Sequence, residues 1–465
     1  MNSISSIDLS AAIASQREFF QAGHTISLES RLKALRSLKN AVYQYENRIL
    51  EALYADMKKP RIEAWTSEWT MVRDEIEFAI RNVKHWIKPR RAPSPLYQWP
   101  AQSFTKSTPY GTCLIIAPWN YPFNLAIIPL IGALAAGNTV VLKPSEFAPH
   151  TSNLISKMLK EAFSPSLVHV IEGDAQISQQ LTESNFDHIF FTGGTGIGKK
   201  IMAVASNRLT PITLELGGKS PCVVDESANL KVTARRIVWG KFFNAGQTCV
   251  APDYIVAEKS ICDSLAEEMK SVVSEFYGRD PKQSKDYARL INTRHFDRIQ
   301  SLLNTSKGEV FVGGESSREE LYFAPTVVKL KDREDSLMKE EIFGPLLPVL
   351  SYENENELFS ILRTHSHPLA FYLFSRDARL EQKLLSLIPF GGGCINDTLI
   401  HLGNPHLGFG GVGPSGIGRY HGKTSFECFS HQKSIVRRSF FADFPLRYPP
   451  FKPIKEFAIR LLMRI

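Results

Sequence analysis

Three side chains in the sequence have the type and setting for acyl chemistry. Cys249 closes the run Phe243-Asn244-Ala245-Gly246-Gln247-Thr248, a small, polar, glycine-containing turn. A thiolate there would be reachable and backbone N–H groups would stabilise it, which a nucleophile requires; an arbitrary cysteine is more often a small buried hydrophobe. The other five, Cys113, Cys222, Cys262, Cys394 and Cys428, stand mostly in apolar or strand-like runs and read as core. Glu215 has a leucine on each side and is followed by Gly217 and Gly218. Burying an ionised carboxylate is costly, so burial there would raise its pKa toward the range of a general base. The alternation alone leaves Glu215 equally a solvent-facing strand residue; the two glycines, which admit another backbone or a ligand, favour function. Asn120 lies in Ala117-Pro118-Trp119-Asn120-Tyr121-Pro122-Phe123, and its amide can donate to a developing oxyanion. By itself that segment reads better as a helix-entry turn built from Pro and Asn.

A fourth segment has the character of a phosphate site. Gly193, Gly194, Thr195, Gly196, Ile197 and Gly198 follow the apolar run that ends at Phe191-Thr192 and open a helical pattern. Backbone N–H groups at a helix N-terminus receive phosphate, although these glycines do not have the GxGxxG spacing. Two other motifs are set aside. Gly422-Lys423-Thr424-Ser425 lacks a glycine at the P-loop distance, and His401, His406 and His421 have no Cys or carboxylate to complete a metal set.

Positioning these residues requires an alternating scaffold. β-rich runs at 112–116, 139–142, 167–171, 188–192 and 212–216 are separated by helical patterns at 125–136, closed by Gly137, and at 150–163, 175–182 and 196–208. Strand–helix–strand at this spacing predicts an α/β fold with a doubly wound parallel sheet, with binding loops at the strand ends. A second alternating section follows, with strands near 254–257, 310–312 and 346–349 and a helix over 265–276. The first hundred residues read as helices: Leu35, Leu38, Val42, Tyr45, Ile49 and Leu53 form one apolar stripe, and a Pro-rich connector runs from Pro89 to Pro100.

The chain has 465 residues with 43% hydrophobic and 22% charged, which excludes a disordered chain or a disulfide miniprotein and allows two or three domains. The longest apolar stretch, 125–137, is interrupted by Pro and Gly and too short for a bilayer, and the N-terminus has no signal-peptide pattern. Six sparse cysteines without a CxxC pair favour a reducing compartment, so a cytoplasmic location is expected. Of the net charge of +8, the segment 431–465 carries +6. The basic excess is a tail property, with no nucleic-acid reading motif in the body.

Taken together, the segments resemble the aldehyde dehydrogenase superfamily. Leu214-Glu215-Leu216-Gly217-Gly218-Lys219-Ser220 resembles its glutamate signature, and the run from Phe242 to Pro252 its cysteine signature, with Glu215 and Cys249 thirty-four apart. PWNYPF, VLKPSE, FTGGTGIG and EEIFGP follow the family's order across nearly the whole chain. The length, CVAPDY, FGGVGPSGIGRYHGKTSFECFSH and RYPP are similar to the class 3 branch of fatty and aromatic aldehyde dehydrogenases.

The resemblance implies a dinucleotide-binding domain over 1–88 and 106–216 and a catalytic α/β domain over 217–400. It also implies a small β oligomerisation extension, 89–105 and 426–450, that forms a homodimer. It implies NAD(P)-dependent oxidation of a hydrophobic aldehyde through a thiohemiacetal and a thioester on Cys249. Asn120 would serve the oxyanion and Glu215 would activate water. Lys143 and Glu146 match residues at the adenine ribose, Gly193 to Gly198 the turn at the pyrophosphate, and Glu341 and Phe343 those at the nicotinamide ribose and ring. Trp119 lines the same cleft. The family usually has GST where this chain has Gly193-Gly194-Thr195, so one hydroxyl contact to phosphate is missing. Glu146 repels a 2′-phosphate and favours NAD, with NADP also accepted in this branch. Relatives that pass the thioester to CoA often lack the glutamate, so Glu215 argues for hydrolysis; a catalytically retired homologue is the alternative outside enzymes. Tyr121, Trp239 and Phe242 read equally as an apolar substrate tunnel or as core.

Beyond 450 the chain reads as a basic amphipathic helix. Ile454, Phe457, Ala458, Leu461, Leu462 and Ile465 share one face, with Lys455, Glu456, Arg460 and Arg464 largely on the other. That composition suits peripheral contact with a membrane surface; the alternative is packing on the protein's own dimer.

Overall fold

The computed structural model describes residues 6–441 and 443–463; Ile465 of the expected apolar tail face and Arg464 of the opposite face lie outside the described residues. Two parallel sheets form its centre. In the first, five parallel strands run in the order Ile212–Glu215, His188–Thr192, Thr112–Ile116, Thr139–Lys143, Val168–Val170. Three of them, Thr112–Ile116, Thr139–Lys143 and His188–Thr192, are buried at every residue. Such strands are covered on both faces, which is why their centres read as continuous apolar runs, with polar residues only at the ends, rather than as alternating ones. The short strand Gly416–Ile417 adds antiparallel to the edge, opposite Glu215 and Leu214.

The second sheet has the order Glu309–Val312, Thr326–Lys329, Leu346–Tyr352, Tyr254–Glu258, Pro221–Val224, Ala370–Phe374, Gly392–Ile395, with only Glu309–Val312 antiparallel. A separate antiparallel ribbon joins Arg90–Ala92, Ala101–Pro109 and Ser430–Arg438. Its central strand runs to Pro109, past the boundary at 105 expected from the sequence, because the pairing with Ser430–Arg438 continues to Pro109 opposite Ser430.

The helices follow from burial. Asn124–Ala136 is apolar on nearly every side and almost wholly buried, as a helix that is hydrophobic all round must be, and left-handed Gly137 ends it at φ 91°. The stripe from Leu35 to Leu53 is divided between two helices, Leu28–Gln44 and Glu46–Met57, with a break at Tyr45, and all six of its residues are buried. The helix Ser6–Gln21 lies along the first sheet, where Gln16 Nε2 donates to Val140 O at 2.8 Å and Pro165 O at 3.0 Å.

One buried amide ties the first sheet to the C-terminal segment. Asn138 accepts the Gly111 N–H at 2.9 Å and donates to Phe429 O at 2.9 Å and Ala133 O at 3.2 Å. Asn138→Ala strands at least one buried N–H and one carbonyl, each worth about 1–3 kcal/mol. The variant is expected to lose at least about 2 kcal/mol in urea unfolding, at an unchanged m-value.

Candidate active site

The first sheet delivers Glu215 at the C-terminal end of its edge parallel strand, where a doubly wound sheet places its ligand sites. The chain then crosses through Leu216-Gly217-Gly218-Lys219-Ser220 into Pro221–Val224, a central strand of the second sheet. Glu215 therefore sits on the seam between the sheets. Of the two readings its alternation allowed, burial is observed: the residue is 2% exposed and neither carboxylate oxygen has a hydrogen-bond partner. Burial drives its pKa well above the carboxylate range, opposed only by the Arg419 charge.

Cys249 follows a turn with an unusual backbone. Asn244, Ala245 and Gly246 are left-handed in succession, at φ 55°, 51° and 74°. Asn tolerates this region, Gly is free in it, and Ala is strained there. Gly246 is also required by space, since a Cβ there would lie 2.3 Å from Gly344 O. Gln247 fastens the turn: its amide donates to Asn244 O and Arg289 O, both at 3.0 Å, and its oxygen accepts the Ile291 N–H at 3.0 Å. Two buried tyrosines hold the residues flanking the cysteine. The Tyr121 and Thr248 hydroxyls meet at 2.6 Å, and Tyr372 donates to Val250 O at 2.6 Å.

Cys249 itself is half-buried. Burial first, then the charges of Glu341 and Glu215, push its thiol up, while the backbone N–H groups of Cys249 and Val250 pull the other way. The stabilising amides expected from the sequence are present, but in the resting site they are outweighed. Asn120 is buried beside the turn, its Nδ2 donating to Gln247 O at 3.1 Å.

Half-buried Glu341 packs against the glycine pair: a Cβ on Gly217 would stand 2.0 Å from its Oε2. Burial and then Asp253 raise it to about 8. Its loop is anchored through residues that sequence reasoning did not single out. Lys219 Nζ donates to Asp253 Oδ2 at 2.6 Å and Glu340 O at 3.0 Å, and Asp253 accepts the Ile342 N–H at 3.1 Å. Lys241 Nζ, 3.8 Å from Asp253 and lacking a hydrogen bond, is lowered to about 8 by burial. Lys219, Lys241 and Asp253 all lie within or beside the two signatures, so their charge in otherwise apolar runs was the available signal.

The cofactor candidates form a separate rim. Phe343, left-handed at φ 49°, packs edge-on against Trp119 at 5.3 Å, and His295, unforeseen from sequence, lies 4.6 Å from the same indole. Lys143, at the end of its strand, pairs closely with Glu146. Gly194 is the N-cap of helix Thr195–Ser206 and supplies no side-chain cap; Ile197 is exposed, and added Cβ atoms on Gly194 and Gly196 would meet nothing. A helix start with open space and uncapped N–H groups fits a pyrophosphate, and the Lys143–Glu146 pair fits ribose hydroxyls. Of the aromatic residues read as tunnel or core, Tyr121 and Phe242 are core, while Trp239 is exposed and packs against Phe243 at 5.4 Å.

The aldehyde dehydrogenase family model matches residues 1–435. The chain belongs to the aldehyde dehydrogenase family. It is 45% identical to the 4,4'-diaponeurosporen-aldehyde dehydrogenase of Staphylococcus aureus over 94% of this chain and 95% of the relative. It is 41% identical to the dimeric NADP-preferring aldehyde dehydrogenase of Mus musculus, over 95% and 98% respectively. The solved structure of substrate-bound Staphylococcus aureus AldH superposes with a TM-score of 0.96 at 43% identity, over 98% of this chain and 99% of that one. The enzyme is thus an NAD(P)-dependent aldehyde dehydrogenase.

In this aldehyde dehydrogenase, Gly194 has φ −71° and ψ 144°, which serine adopts freely, with open space for a hydroxyl. Gly194→Ser restores the residue expected at a phosphate-facing N-cap. By calorimetric titration it should tighten NAD binding by roughly 2- to 12-fold, the equivalent of one hydrogen bond. Thermal stability should rise by only a few tenths of a kcal/mol.

Proposed function

We propose that the enzyme oxidises hydrophobic aldehydes to carboxylic acids, with Cys249 as nucleophile, Asn120 and the Cys249 N–H as oxyanion donors, and Glu215 as general base. The observation that carries this reading is the Glu215 carboxyl, buried without a hydrogen-bond partner on the seam beside Cys249. A partnerless buried carboxyl is costly, and a water held there for activation would repay it.

The residues act in sequence. Cys249 loses its proton and its sulfur attacks the aldehyde carbon. As the carbonyl oxygen becomes an alkoxide, the Asn120 amide leaves Gln247 O for it and the Cys249 N–H adds a second bond. Bound NAD(P) supplies the hydride acceptor that converts the resulting thiohemiacetal to a thioester. Glu215 then takes a proton from water, whose oxygen attacks the thioester carbon, and the Cys249 sulfur departs. Lys143 and Glu146 would hold the adenine ribose, residues 193–198 the pyrophosphate, and Glu341, Phe343 and Trp119 the nicotinamide end. Because a carboxylate at Glu146 repels a 2′-phosphate, NAD is the preferred cofactor, with NADP accepted.

Exposed apolar groups near the nucleophile helix support a hydrophobic substrate. Trp239 stands exposed on helix Leu230–Phe242, which leads into the Cys249 turn. The neighbouring loop is tied to that helix by Thr398 Oγ1 donating to Arg236 O at 2.8 Å, and it carries exposed Ile400. The domain reading is a dinucleotide unit on the first sheet, a catalytic unit on the second, and the antiparallel ribbon as the homodimer contact of a cytoplasmic enzyme. The ribbon's outer strand, Ser430–Arg438, is largely exposed, and the mouse relative is named dimeric.

The test follows reduced cofactor at 340 nm with short, long-chain and aromatic aldehydes and both cofactors. Cys249→Ala should abolish turnover while remaining folded, and kcat/KM should be highest for apolar aldehydes with NAD. Both Cys249 and Glu215 must lose protons, and both are raised by burial, so the active fraction grows with pH. The rate should therefore climb from neutral into alkaline pH. Glu215→Gln should leave the first thioester burst but slow its hydrolysis by about 10²–10⁴-fold. Absence of turnover in folded wild type, with and without CoA, would refute the reading.

The tail carries a second, peripheral role in this reading. Helix Pro453–Met463 leaves Ile454, Phe457 and Leu461 exposed, whereas Ala458 and Leu462 of the expected apolar face are half-buried. Phe451, Lys452 and Arg460 are exposed at or within the helix, and Phe440 and Phe441 are exposed earlier in the same C-terminal segment. Among the described residues no helix is long and apolar enough to cross a membrane. An apolar, basic surface of this kind suits the face of an anionic bilayer. Full-length enzyme should co-sediment with phosphatidylserine vesicles, and truncation after Pro450 should abolish this; unchanged recovery would remove the idea.

A further inference from the structure

An acidic segment far from both signatures reaches into the site. After helix Arg61–Ala64 the backbone widens into a π-turn, Trp65–Trp69, in which the Thr70 N–H reaches back five residues to Trp65 O. An α-helix would direct residues five apart to different sides; the wider i→i+5 ladder brings Glu63 and Glu68 toward one side. Both carboxylates are buried.

Their partners are the two loops that carry the proposed chemistry. Glu68 Oε2 accepts the Phe123 N–H at 3.1 Å and the Asn124 N–H at 2.8 Å, and Asn124 Nδ2 donates back to Ser67 O at 2.8 Å. Glu68 Oε1 pairs with buried Lys59 Nζ at 2.6 Å. That same ammonium donates to Asn120 O at 3.1 Å and lies 4.2 Å above the Tyr121 ring. Glu63 Oε1 accepts the N–H of left-handed Asn244 at 2.8 Å. The side chain of Asn244 then donates to Asn120 O at 2.8 Å and Gln247 O at 3.1 Å.

We propose that Lys59, Glu63 and Glu68 are positioning residues for the oxyanion site: this buried triad fixes the Asn120 loop and the Asn244–Cys249 turn relative to each other. The inference deepens the reading of Asn120 and Cys249 given above and rests on it. Lys59 and Glu68 set where the Asn120 backbone lies, and Glu63 sets where the turn lies. Asn244 joins the two. The triad touches no reacting atom. Its effect is to place the Asn120 amide and the Cys249 N–H within reach of one oxygen, the kind of placement whose loss by about 1 Å costs about a hundredfold in rate. The bonds from Glu63 and Lys59 end on backbone atoms, so they constrain the path of the chain and not one rotamer.

The test separates positioning from folding and from nucleophilicity. Glu63→Ala, Glu63→Gln and the double variant Lys59→Met/Glu68→Gln, which removes both buried charges together, are compared with wild type and Cys249→Ala. For each, kcat, KM, the urea midpoint and the rate of iodoacetamide alkylation at Cys249, read on its peptide by mass spectrometry, are measured. Alkylation uses the thiol but no oxyanion donor. Glu63→Ala and the double variant should lose about 10- to 100-fold in kcat while alkylation stays within about twofold. Glu63→Gln keeps an oxygen for the Asn244 N–H and should recover most of kcat. If Glu63→Ala lacks a cooperative unfolding transition, Glu63→Asp, which withdraws the carboxylate by one methylene, replaces it. Wild-type kcat in Glu63→Ala and the double variant, or equal losses of kcat and alkylation, would overturn the proposal. Turnover by Cys249→Ala would instead refute the underlying assignment of the site, an outcome visible without reference to the triad.

Discussion

The site depends on a backbone that would not hold its shape alone. Three successive left-handed residues before Cys249 include an alanine, and such conformations cost of order 1–3 kcal/mol when the residue is not glycine. They persist where surrounding contacts over-determine them. Gln247 closes the turn from within, Glu63 holds its first N–H, Gly344 packs against its glycine, and tyrosine hydroxyls grip the residues on both sides of the cysteine. In the proposed mechanism the bend holds the Cys249 nucleophile near enough to the Glu215 carboxyl for their charges to interact.

Much of this was legible in the sequence because it is local. Strands buried on both faces carry continuous apolar centres, so 112–116 and 188–192 were read where the structure has them. The helix that ends at Gly137 was legible from its all-round apolarity and its left-handed stop. The two signatures likewise place Glu215 and Cys249 beside glycines whose missing side chains make room for neighbouring groups, and those neighbours are Glu341 and Gly344. The break at Tyr45 was not legible, since the apolar stripe continues across it and only the cap geometry interrupts the helix.

What escaped sequence reading is long-range. Glu63 and Glu68 lie on an ordinary-looking amphipathic segment, and a π-turn has no periodicity that separates it from an α-helix in a single sequence. Their partners, Asn244 and Asn124, are 181 and 56 residues away. Asp253 shows the same limit: it lies in a recognisable run, yet its role as the shared acceptor for Lys219 and the Ile342 N–H depends on two strands and a loop meeting. Glu215 illustrates the converse. Its position was clear, but burial could not be decided from alternation, because the face of an edge strand is covered or open according to what packs there.

The ionisable groups around the thiol have to be treated as one system. Glu215 and Glu341 bring acidic groups close to Cys249, and Asp253, with Lys219 and Lys241 beside it, acts on Glu341 in turn. Asp253 is ion-paired, whereas Glu215 has no partner for either oxygen. At this separation a thiolate and the carboxylates of Glu215 and Glu341 cannot all be charged without mutual repulsion, so ionising one raises the cost of ionising the next. The apparent pKa values of the rate profile therefore belong to the set and not to single residues. In the proposed mechanism the same coupling orders the two halves of the reaction. While Cys249 must be a thiolate, a protonated Glu215 is the easier neighbour; once the sulfur is acylated and uncharged, Glu215 can ionise at less cost. Under that mechanism, acylation of Cys249 itself favours the charged form of Glu215 that the following step requires.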